Sequence, residues 1–252
     1  MNTAVIVCNG EFPKKEYPRY LIQSADLVIC CDSARNVARL EALGRTPDLL
    51  VGDMDSTPVS VQKRLSGNSG STAAPAPASA SGSGRVVRIP EQDDNDLAKA
   101  FALLRERYPE VTEIHIIGAG GKNEAHTVGN LGWLMEWERR SIAETGLGLA
   151  ARGINVDMVS DWSTAFAVSP AAATAPASAP AALEPLELFV GEGRRVSFFA
   201  TDPKLRISSQ GLQWPLDDVD LTRWWGATLN RATAPAISLT FNEKSPLLVI
   251  LD

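Results

Sequence analysis

The sequence predicts an α/β N-terminal domain with a mostly parallel, Rossmann-like sheet, followed by a small C-terminal antiparallel β-sandwich. Two observations lead to this fold class. In the first part of the chain, short apolar runs alternate with segments of helical periodicity, which is the pattern of βαβ units around a buried parallel sheet. After residue 183, five short strand-like runs follow one another without a convincing helix, which is typical of a sandwich.

The first predicted strands each end on a polar residue or a glycine. A helix is predicted over residues 33–43, because its apolar residues fall on one side and Gly44 follows as a stop signal. The strands cover residues 4–8, 27–31 and 49–51, and they end at or before Asn9-Gly10, Asp32 and Gly52.

The α/β pattern resumes after residue 90. Asn95 is predicted to cap a helix whose apolar residues fall at i, i+3, i+4 and i+7. Residues 114–117 form the next predicted strand. The glycine-rich turn 118–121 leads into a helix over roughly 127–139, and residues 154–159 form a further strand.

Two stretches consist almost entirely of Ser, Ala, Pro and Gly. Residues 66–84 cannot bury enough apolar surface to offset their ordering entropy, so we predict a disordered insertion there. Residues 169–182 have the same character and are predicted to link two domains. The 252 residues are thus divided into an α/β catalytic domain over 1–168 and a β-sandwich domain over 183–252.

Composition argues against several classes of partner. The net charge of −6 disfavours nucleic acid, but it does not disfavour a nucleotide that carries a bound cation. The three cysteines lie in short apolar runs and are predicted to be buried free thiols. No apolar run approaches the ~20 residues of a membrane span, and no basic region precedes an apolar stretch at the first residues. We therefore predict a cytoplasmic protein without a nucleic-acid or membrane partner.

Three aspartates lie at predicted strand ends. Asp53 and Asp55 follow the third strand and Asp32 ends its neighbour, so we expect all three at the carboxyl edge, where open α/β sheets bind ligands. In extended backbone, Asp53 and Asp55 project to the same face. Each aspartate alone is most simply a turn or capping residue. Together they repel one another, and a divalent cation is the usual remedy.

A second acidic segment, Gln92-Asp93-Asp94-Asn95-Asp96, stands at the start of a predicted helix. Ordinary capping is one explanation, because the helix dipole favours aspartate at this end. However, three carboxylates within four positions exceed what capping needs, and this excess favours a binding site.

The turn Gly118-Ala119-Gly120-Gly121 follows a strand and opens a helix. Its missing Cβ atoms let backbone amides approach a phosphate, and Lys122 follows directly. The spacing is neither that of the dinucleotide motif nor that of the P-loop, so a plain tight turn is the alternative. His115 lies inside a strand and is predicted to be structural. His126, beside the turn, is either structural or part of the site.

Acids for a hard metal together with a glycine-rich amide cradle indicate a site for phosphoryl or nucleotidyl transfer. No Ser-His-Asp or Cys-His pairing is apparent in the sequence. The prediction is therefore of metal-assisted group transfer rather than of nucleophilic catalysis by a side chain.

Six segments form an ordered series of motifs. They are Asp32-Ser33-Ala34-Arg35-Asn36, Gly52-Asp53-Met54-Asp55-Ser56, Glu91-Gln92-Asp93-Asp94-Asn95-Asp96-Leu97-Ala98-Lys99-Ala100, Gly121-Lys122-Asn123-Glu124-Ala125-His126, Gly211-Leu212-Gln213-Trp214-Pro215-Leu216 and Trp225-Gly226-Ala227-Thr228-Leu229-Asn230. In this order they resemble the thiamine pyrophosphokinase family, in its Bacteroides-like form. The resemblance covers nearly the whole chain except the two Ala/Ser/Pro stretches.

The resemblance implies transfer of the pyrophosphoryl group of ATP to thiamine, which gives thiamine diphosphate and AMP. It also implies a homodimer whose active sites use both protomers. Magnesium is implied at Asp53, Asp55 and Asp96, with Asp32 as a further catalytic residue. The implied ATP contacts are Gln92, Asn95, Gly118, Gly120, Gly121 and Lys122, and the implied thiamine contacts are Ser56, Trp214, Thr228 and Asn230.

The role implied for Trp214 has a physical basis and an alternative. An aromatic face beside the cationic thiazolium of thiamine is favourable, because the ring quadrupole attracts positive charge. The alternative is that Trp214 belongs to the core of the sandwich.

The sequence departs from the family pattern at three places. Ser33 and Ala34 replace two glycines, Asn123 stands where the family has an arginine, and Ala125 stands where it has an aspartate. The first hypothesis is an active thiamine pyrophosphokinase. Because of these departures, the second hypothesis is a catalytically impaired protein of the same fold that binds nucleotide or thiamine. A different metal-dependent, nucleotide-using transferase is the third, and it requires the sandwich-domain motifs to be coincidental.

Overall fold

The structure is a computed structural model that describes residues 2–67, 85–171 and 183–252. It divides into two compact units, of which the first comprises residues 1–130 and 158–161 and the second residues 131–157 and 162–252. The disordered insertion predicted at 66–84 lies outside the described residues from 68 onwards, and Ser66 and Gly67 close a helix. The linker predicted at 169–182 lies outside them from residue 172 onwards.

Five parallel strands form the sheet of the first unit. Their spatial order is β5-β1-β2-β3-β4, and each pairing between neighbours is parallel. The strands are β1 (Thr3–Val7), β2 (Leu27–Cys31), β3 (Leu49–Gly52), β4 (Val86–Arg88) and β5 (Glu113–Ile117). The prediction of a mostly parallel α/β sheet in the N-terminal part is confirmed.

Helices connect these strands. They are α1 (Glu16–Ser24), α2 (Ala34–Ala42), α3 (Val59–Gly67), α4 (Asp96–Arg107) and α5 (Glu124–Thr145), the last of which begins in the first unit and ends in the second. Ser33 caps α2 by accepting a hydrogen bond from the backbone of Asn36, and Asn95 caps α4 by accepting one from Ala98. The capping predicted for Asn95 is therefore confirmed.

The strands of the first unit are nearly continuous apolar runs, as parallel strands covered on both faces require. All five residues of β2 are buried, and so are four of the five residues of β1. Ile22 of α1 and Leu40 of α2 pack into the same core cluster as Val28 of β2. Each such fully buried side chain contributes about 1.5–3 kcal/mol relative to exposure.

The strand order creates a switch point beside β1. The chain proceeds from β1 through β2 and β3 to β4 on one side, and then returns to place β5 on the other side of β1. The loops that leave β1 and β5 lie next to each other at the carboxyl edge of the sheet, where the strand order reverses. A crevice at such a point is where open α/β sheets bind their ligands.

Two antiparallel sheets form the second unit. Their orders are β12-β9-β14-β7 and β11-β10-β13-β8. The strands after α5 and a short 3-10 turn (Ala150–Arg152) are β6 (Asn155–Val159), β7 (Thr164–Val168), β8 (Leu186–Phe189), β9 (Arg195–Phe199), β10 (Arg206–Gln210), β11 (Val219–Asp220), β12 (Asn230–Arg231), β13 (Ala236–Phe241) and β14 (Leu247–Leu251). Phe198, Leu239 and Val249 are fully buried in its core. The predicted antiparallel C-terminal part is confirmed.

Several elements escaped the sequence analysis. The sequence of α1 does not predict a helix, because few of its side chains are buried. The exposed Tyr17 and Tyr20 also obscure the periodicity of its apolar residues. α3 buries only Leu65, and β4 is three residues long, so neither gives a periodic signal. β7 was missed as well, and it pairs with β14. Within the described ranges, no helix is both long enough and apolar enough to cross a membrane.

Asn36→Ala is expected to lower the free energy of unfolding by about 1–3 kcal/mol. The buried Asn36 amide donates a 2.6 Å hydrogen bond to the carbonyl of Cys8, and this bond ties the first turn of α2 to the carboxyl end of β1. Urea unfolding measures the loss. Arg35→Ala, at the exposed neighbouring position of α2, is the control and should change stability by less than ~0.5 kcal/mol. Equal effects of the two variants would contradict this role of Asn36.

Candidate active site

Three carboxylates converge at the carboxyl edge of the first unit's sheet. Asp32 follows β2, and Asp53 and Asp55 follow the neighbouring strand β3. Each offers an oxygen atom that lies within 4.8 Å of the others. Asp32 is buried, Asp53 is half-buried and Asp55 is exposed, so the cluster extends from the protein interior to solvent.

Gly52 allows this convergence. Its φ of +155° is rare for residues with a side chain, and an added Cβ would lie 2.6 Å from the Cβ of Asp32 and 2.9 Å from Oδ1 of Asp96. The missing side chain of Gly52 is therefore what lets Asp32 and Asp96 come close on this side of β3. Two of the four aspartates predicted from the sequence, Asp32 and Asp96, thus lie against one glycine.

The backbone that carries Asp53 and Asp55 is a tight turn. The expected extended conformation is wrong, because Met54 has a φ of +67° and the amide of Asp55 donates a hydrogen bond to Oδ1 of Asp53 (3.2 Å). The two carboxylates thus approach through a side-chain-stabilised turn and not through the alternation of a strand. Ser56 closes the segment, since its hydroxyl donates to Oδ1 of Asp55 (2.9 Å).

Asp32 has one carboxylate oxygen that lacks a partner. Oδ2 accepts a hydrogen bond from the amide of Ser56 (2.9 Å), whereas Oδ1 is buried without a donor in the described part of the chain. An unsatisfied buried acceptor is costly, and a charged one more so. A divalent cation bound by oxygen ligands would satisfy it, so the donor set of this cluster fits a hard metal such as magnesium.

The charges of the cluster shift two pKa values in opposite directions. Burial raises the pKa of Asp96 to about 6, and the negative charges of Asp32, Asp53 and Asp55 act in the same direction, while Lys99 opposes them. The pKa of Asp53 is lowered, mainly because the Gln92 amide donates a 2.8 Å hydrogen bond to its Oδ2. In the absence of a cation, one of the four aspartates thus keeps its proton to a higher pH than an ordinary aspartate does.

A cavity of about 510 Å³ opens over this edge, and every residue that lines it belongs to the first unit. Its lining includes most of the residues predicted for the site: Asp53, Asp55, Ser56, Gln92, Asn95, Asp96, Gly118, Gly120, Lys122 and His126. Asp32 lies in the carboxylate cluster and is almost fully buried, and Gly121 is not part of the lining.

The glycine-rich turn forms one wall of the cavity together with the loop after β1. The amide of Gly10 donates to the carbonyl of Gly118 (2.7 Å), and the amide of Glu11 donates to that of Gly120 (2.8 Å). A Cβ on Gly10 would lie 2.3 Å from the Gly118 oxygen, so only glycine fits there. The local sequence Asn9-Gly10 predicts a plain turn and gives no signal of its place in the site, because the partner loop lies more than a hundred residues away.

Asn130 is a second residue that the sequence analysis missed. Its buried amide donates to the carbonyl of Ala119 (2.8 Å), and its Oδ1 accepts a hydrogen bond from Asn95 (3.0 Å). Asn130 therefore joins the glycine-rich turn to the start of α4. A polar residue on the apolar side of a predicted helix was the only sequence signal for it.

Two of the three departures from the family pattern, Asn123 and Ala125, lie at the start of α5. Oδ1 of Asn123 accepts a hydrogen bond from the amide of His126 (3.1 Å), so this side chain acts as a helix cap. Ala125 is exposed, and His126 is exposed and lines the cavity. His115 lies in β5, as predicted.

Of the four residues predicted on the thiamine side, Ser56 belongs to the first unit and the other three belong to the second. Trp214 is 58% exposed, so it is not part of the core, and Thr228 is exposed. Asn230 is buried, and its side chain holds the backbone of Trp214 with two hydrogen bonds, one accepted from its amide (3.2 Å) and one donated to its carbonyl (2.6 Å). Asn230 therefore fixes the position of Trp214 and Thr228 remains open to solvent.

An acid-lined cavity at the switch point of a parallel sheet is the architecture of α/β proteins that bind phosphate-bearing ligands together with a metal ion. The family comparison is more specific. The model described as "Thiamin pyrophosphokinase, catalytic domain" matches residues 18–144, and the model described as "Thiamin pyrophosphokinase, substrate-binding domain" matches residues 182–249. The chain belongs to the thiamin pyrophosphokinase family, which takes ATP and thiamine as substrates.

Solved structures share the fold. Thiamine pyrophosphokinase from Bacillus subtilis superposes with a TM-score of 0.67 at 18% identity, covering 100% of this chain and 99% of that one. Thiamin pyrophosphokinase from Candida albicans gives a TM-score of 0.69 at 12% identity, covering 99% of this chain and 88% of that one. The yeast enzyme gives a TM-score of 0.67 at 13% identity, covering 100% of this chain and 86% of that one. No curated protein matches the chain by sequence.

Asp96→Asn is expected to stabilise the metal-free protein at pH 7 by roughly 1 kcal/mol, because burial, and then the neighbouring carboxylates, disfavour the charged form of this partly exposed group. A pKa raised on folding favours the folded state below the ordinary value of 3.8, and this contribution is lost as the pH rises through about 6. The variant should therefore flatten the dependence of stability on pH in that window. Urea unfolding in the presence of a chelator measures both effects.

Glu110→Gln, at an exposed position of the first unit, serves as the control for removal of a single negative charge. It should leave the pH dependence of stability between 3.8 and about 6 as it is in the parent protein. A parent-like dependence in Asp96→Asn as well would show that Asp96 is not the group responsible.

Proposed function

We propose that this chain is a magnesium-dependent thiamine pyrophosphokinase that transfers the pyrophosphoryl group of ATP to thiamine. The observation that carries the proposal is the cluster of Asp32, Asp53 and Asp55, with a buried oxygen of Asp32 that has no donor among the residues the structure describes. Membership of the thiamin pyrophosphokinase family supplies the substrates. The products are thiamine diphosphate and AMP.

Magnesium is proposed to bind at Asp53, Asp55 and Asp96, with Asp32 beside them. When bound, it neutralises charge on the phosphates and orients them for transfer. The aspartates hold the ion through hard oxygen ligands, and the bond from Gln92 keeps Asp53 in its charged form. Ser56 positions two of the carboxylates through its backbone amide and its hydroxyl.

ATP is proposed to occupy the cavity above the carboxyl edge. Gln92, Asn95, Gly118, Gly120 and Lys122 line this cavity and are the proposed contacts. Gly121 acts indirectly: its φ of +81° and its closeness to Glu11 make glycine necessary for the shape of the turn. The hydroxyl oxygen of thiamine then forms a bond to the β-phosphorus, the bond from that phosphorus to the AMP oxygen breaks, and the hydroxyl proton is released.

Trp214 is proposed to contact thiamine through its exposed ring, and Thr228 to contribute a hydroxyl. The large apolar ring of Trp214 is exposed, which leaves it open to a ligand. The two hydrogen bonds with the side chain of Asn230 hold the backbone of Trp214 in place. An indole face attracts the thiazolium cation with about 0.5–2 kcal/mol. Asn230 is thus proposed as a positioning residue for Trp214.

A homodimer in the cytoplasm is part of the proposal. Trp225, Leu229 and Phe189 of the second unit are exposed, and large apolar side chains on a surface favour association. The three cysteines are buried free thiols, a state that fits a reducing compartment. Analytical ultracentrifugation tests the dimer.

A catalytically impaired protein of the same fold is the second candidate. Two observations favour it. Position 123 carries an uncharged asparagine, whose side chain caps α5, and position 125 carries an alanine in place of an acid. Purified protein incubated with thiamine, ATP and magnesium separates the two candidates. Thiamine diphosphate and AMP in equal amounts support the enzyme, whereas ligand-induced stabilisation without product supports the binding protein.

Asp55→Ala is expected to abolish turnover, lowering kcat by at least about 100-fold, because it removes a metal ligand. Magnesium should raise the melting temperature of the parent protein, and this increase should be smaller in the variant. Glu110→Ala, an exposed residue away from the cavity, should retain full activity and the magnesium effect. Parent-like turnover in Asp55→Ala would refute the metal assignment.

Trp214→Ala is expected to raise KM for thiamine about 3- to 30-fold with little change in KM for ATP, because a cation–π contact is lost. Trp162→Ala, at another exposed tryptophan of the second unit, is the matched control. Steady-state kinetics with each substrate varied in turn provides the measurement. Equal KM values for thiamine in the two variants would exclude Trp214 from the thiamine site.

A further inference from the structure

Two lysines line the cavity, and they differ in whether carboxylates lie close to the ammonium group. Lys99 is buried, and its ammonium lies 3.8 Å from Oε1 of Glu91 and 3.9 Å from Oδ1 of Asp96, so its charge is balanced by acids. Lys122 is exposed, and its ammonium contacts only the neutral oxygens of Asn9, the carbonyl at 3.3 Å and Oδ1 at 3.4 Å. Among the residues that the structure describes, no carboxylate pairs with Lys122.

Asn9 is oriented to receive this ammonium. A lysine ammonium can only donate, so the amide atom beside it is the oxygen Oδ1, and the hydroxyl of Ser33 donates to the same oxygen (3.0 Å). Ser33 is buried and caps α2, which anchors the arrangement in the fold. Lys122 is therefore held at the cavity wall by two neutral acceptors on one residue, and among the described residues no carboxylate balances its charge.

The cavity consequently has two sides of opposite charge. The carboxylate cluster follows β2 and β3, whereas Asn9 follows β1 and Lys122 follows the turn after β5, on the other side of β1 in the strand order. A triphosphate carries more negative charge than one divalent cation neutralises. The remaining charge needs a cation at the wall away from the aspartates, and Lys122 is the lining residue whose ammonium is available for it.

The neighbouring side chain is committed elsewhere. Asn123 accepts the amide hydrogen bond of His126 and its carbonyl accepts the hydroxyl of Thr127 (2.9 Å), so position 123 serves the start of α5. The positive charge of this segment is on Lys122, one residue before Asn123.

We propose that Asn9 is the residue that positions Lys122 for its contact with the phosphate oxygens of ATP. The inference rests on the proposed function, which already names Lys122 as an ATP contact, and adds to it the residue that supports this lysine. Asn9 acts on the nucleotide through Lys122.

The first experiment compares Lys122→Ala and Lys122→Gln with the parent protein and with Lys63→Ala, an exposed lysine of α3 outside the cavity lining. Binding of a non-hydrolysable ATP analogue with magnesium is measured by calorimetry, and KM is measured for each substrate. Both Lys122 variants should bind the analogue about 10- to 100-fold more weakly and raise KM for ATP, with KM for thiamine unchanged. Parent-like binding by both variants would overturn the proposal.

The second experiment tests the support by Asn9. Asn9→Ala should weaken analogue binding in the parent background and have no further effect in Lys122→Ala, because a positioning residue acts only through the group it positions. Asn9→Asp keeps the size of the side chain and pairs with Lys122, so its melting temperature should be at least that of the parent while its affinity for the analogue falls. Additive losses in the double variant, or parent-like affinity in Asn9→Asp, would contradict the role of Asn9.

The outcomes separate this inference from the proposed function. If the parent protein forms thiamine diphosphate and the Lys122 variants are indistinguishable from it, the proposed function holds and the inference fails. If the parent protein binds the analogue without turnover and the Lys122 variants lose that binding, the inference holds and the enzyme assignment fails. A parent protein that neither binds the analogue nor turns over ATP refutes both.

Discussion

The close approach of Asp32 and Asp96 to Gly52 is the constraint on which the site depends. With a Cβ at position 52, neither aspartate could occupy its place, and the cluster would open. Because the glycine admits both, negative charges accumulate at the carboxyl edge of the sheet, and one buried oxygen of Asp32 has no donor among the described residues. The fold alone does not compensate this arrangement, so it is a source of instability in the metal-free protein that a bound cation would remove.

The parallel sheet explains why these groups meet at all. Asp32 and Asp53 follow adjacent parallel strands, so their backbone positions are fixed by strand pairing and not by the loops. The switch point beside β1 then adds a second wall from the loops after β1 and β5. The aspartates and Lys122 thus come from segments that are distant in sequence but are fixed by one strand order. This explains how a cavity built on loops keeps a defined distribution of charge.

The sequence identifies the parts of the site that follow from general rules of α/β sheets. Asp32, Asp53 and the turn beginning at Gly118 were found because ligands bind at the carboxyl ends of parallel strands. The turn at Met54 was not foreseen, since a positive φ at methionine has no sequence signal. Asn9 was missed for a different reason: its role depends on contacts with Ser33 and Lys122, which no local pattern reveals. The fold class was therefore predictable, whereas the hydrogen-bonded supports of the site were not.

The wall between the loops after β1 and β5 is joined main chain to main chain, through the amides of Gly10 and Glu11. Such a junction is indifferent to the side chains it carries, provided that the glycines remain. Residues of the segment after Gly118 can therefore be exchanged, or a charge can move by one position, without rebuilding the cavity. In evolutionary terms the wall is permissive, because single substitutions outside its glycines leave the main-chain junction intact, whereas Gly52 at the carboxylate edge admits no side chain.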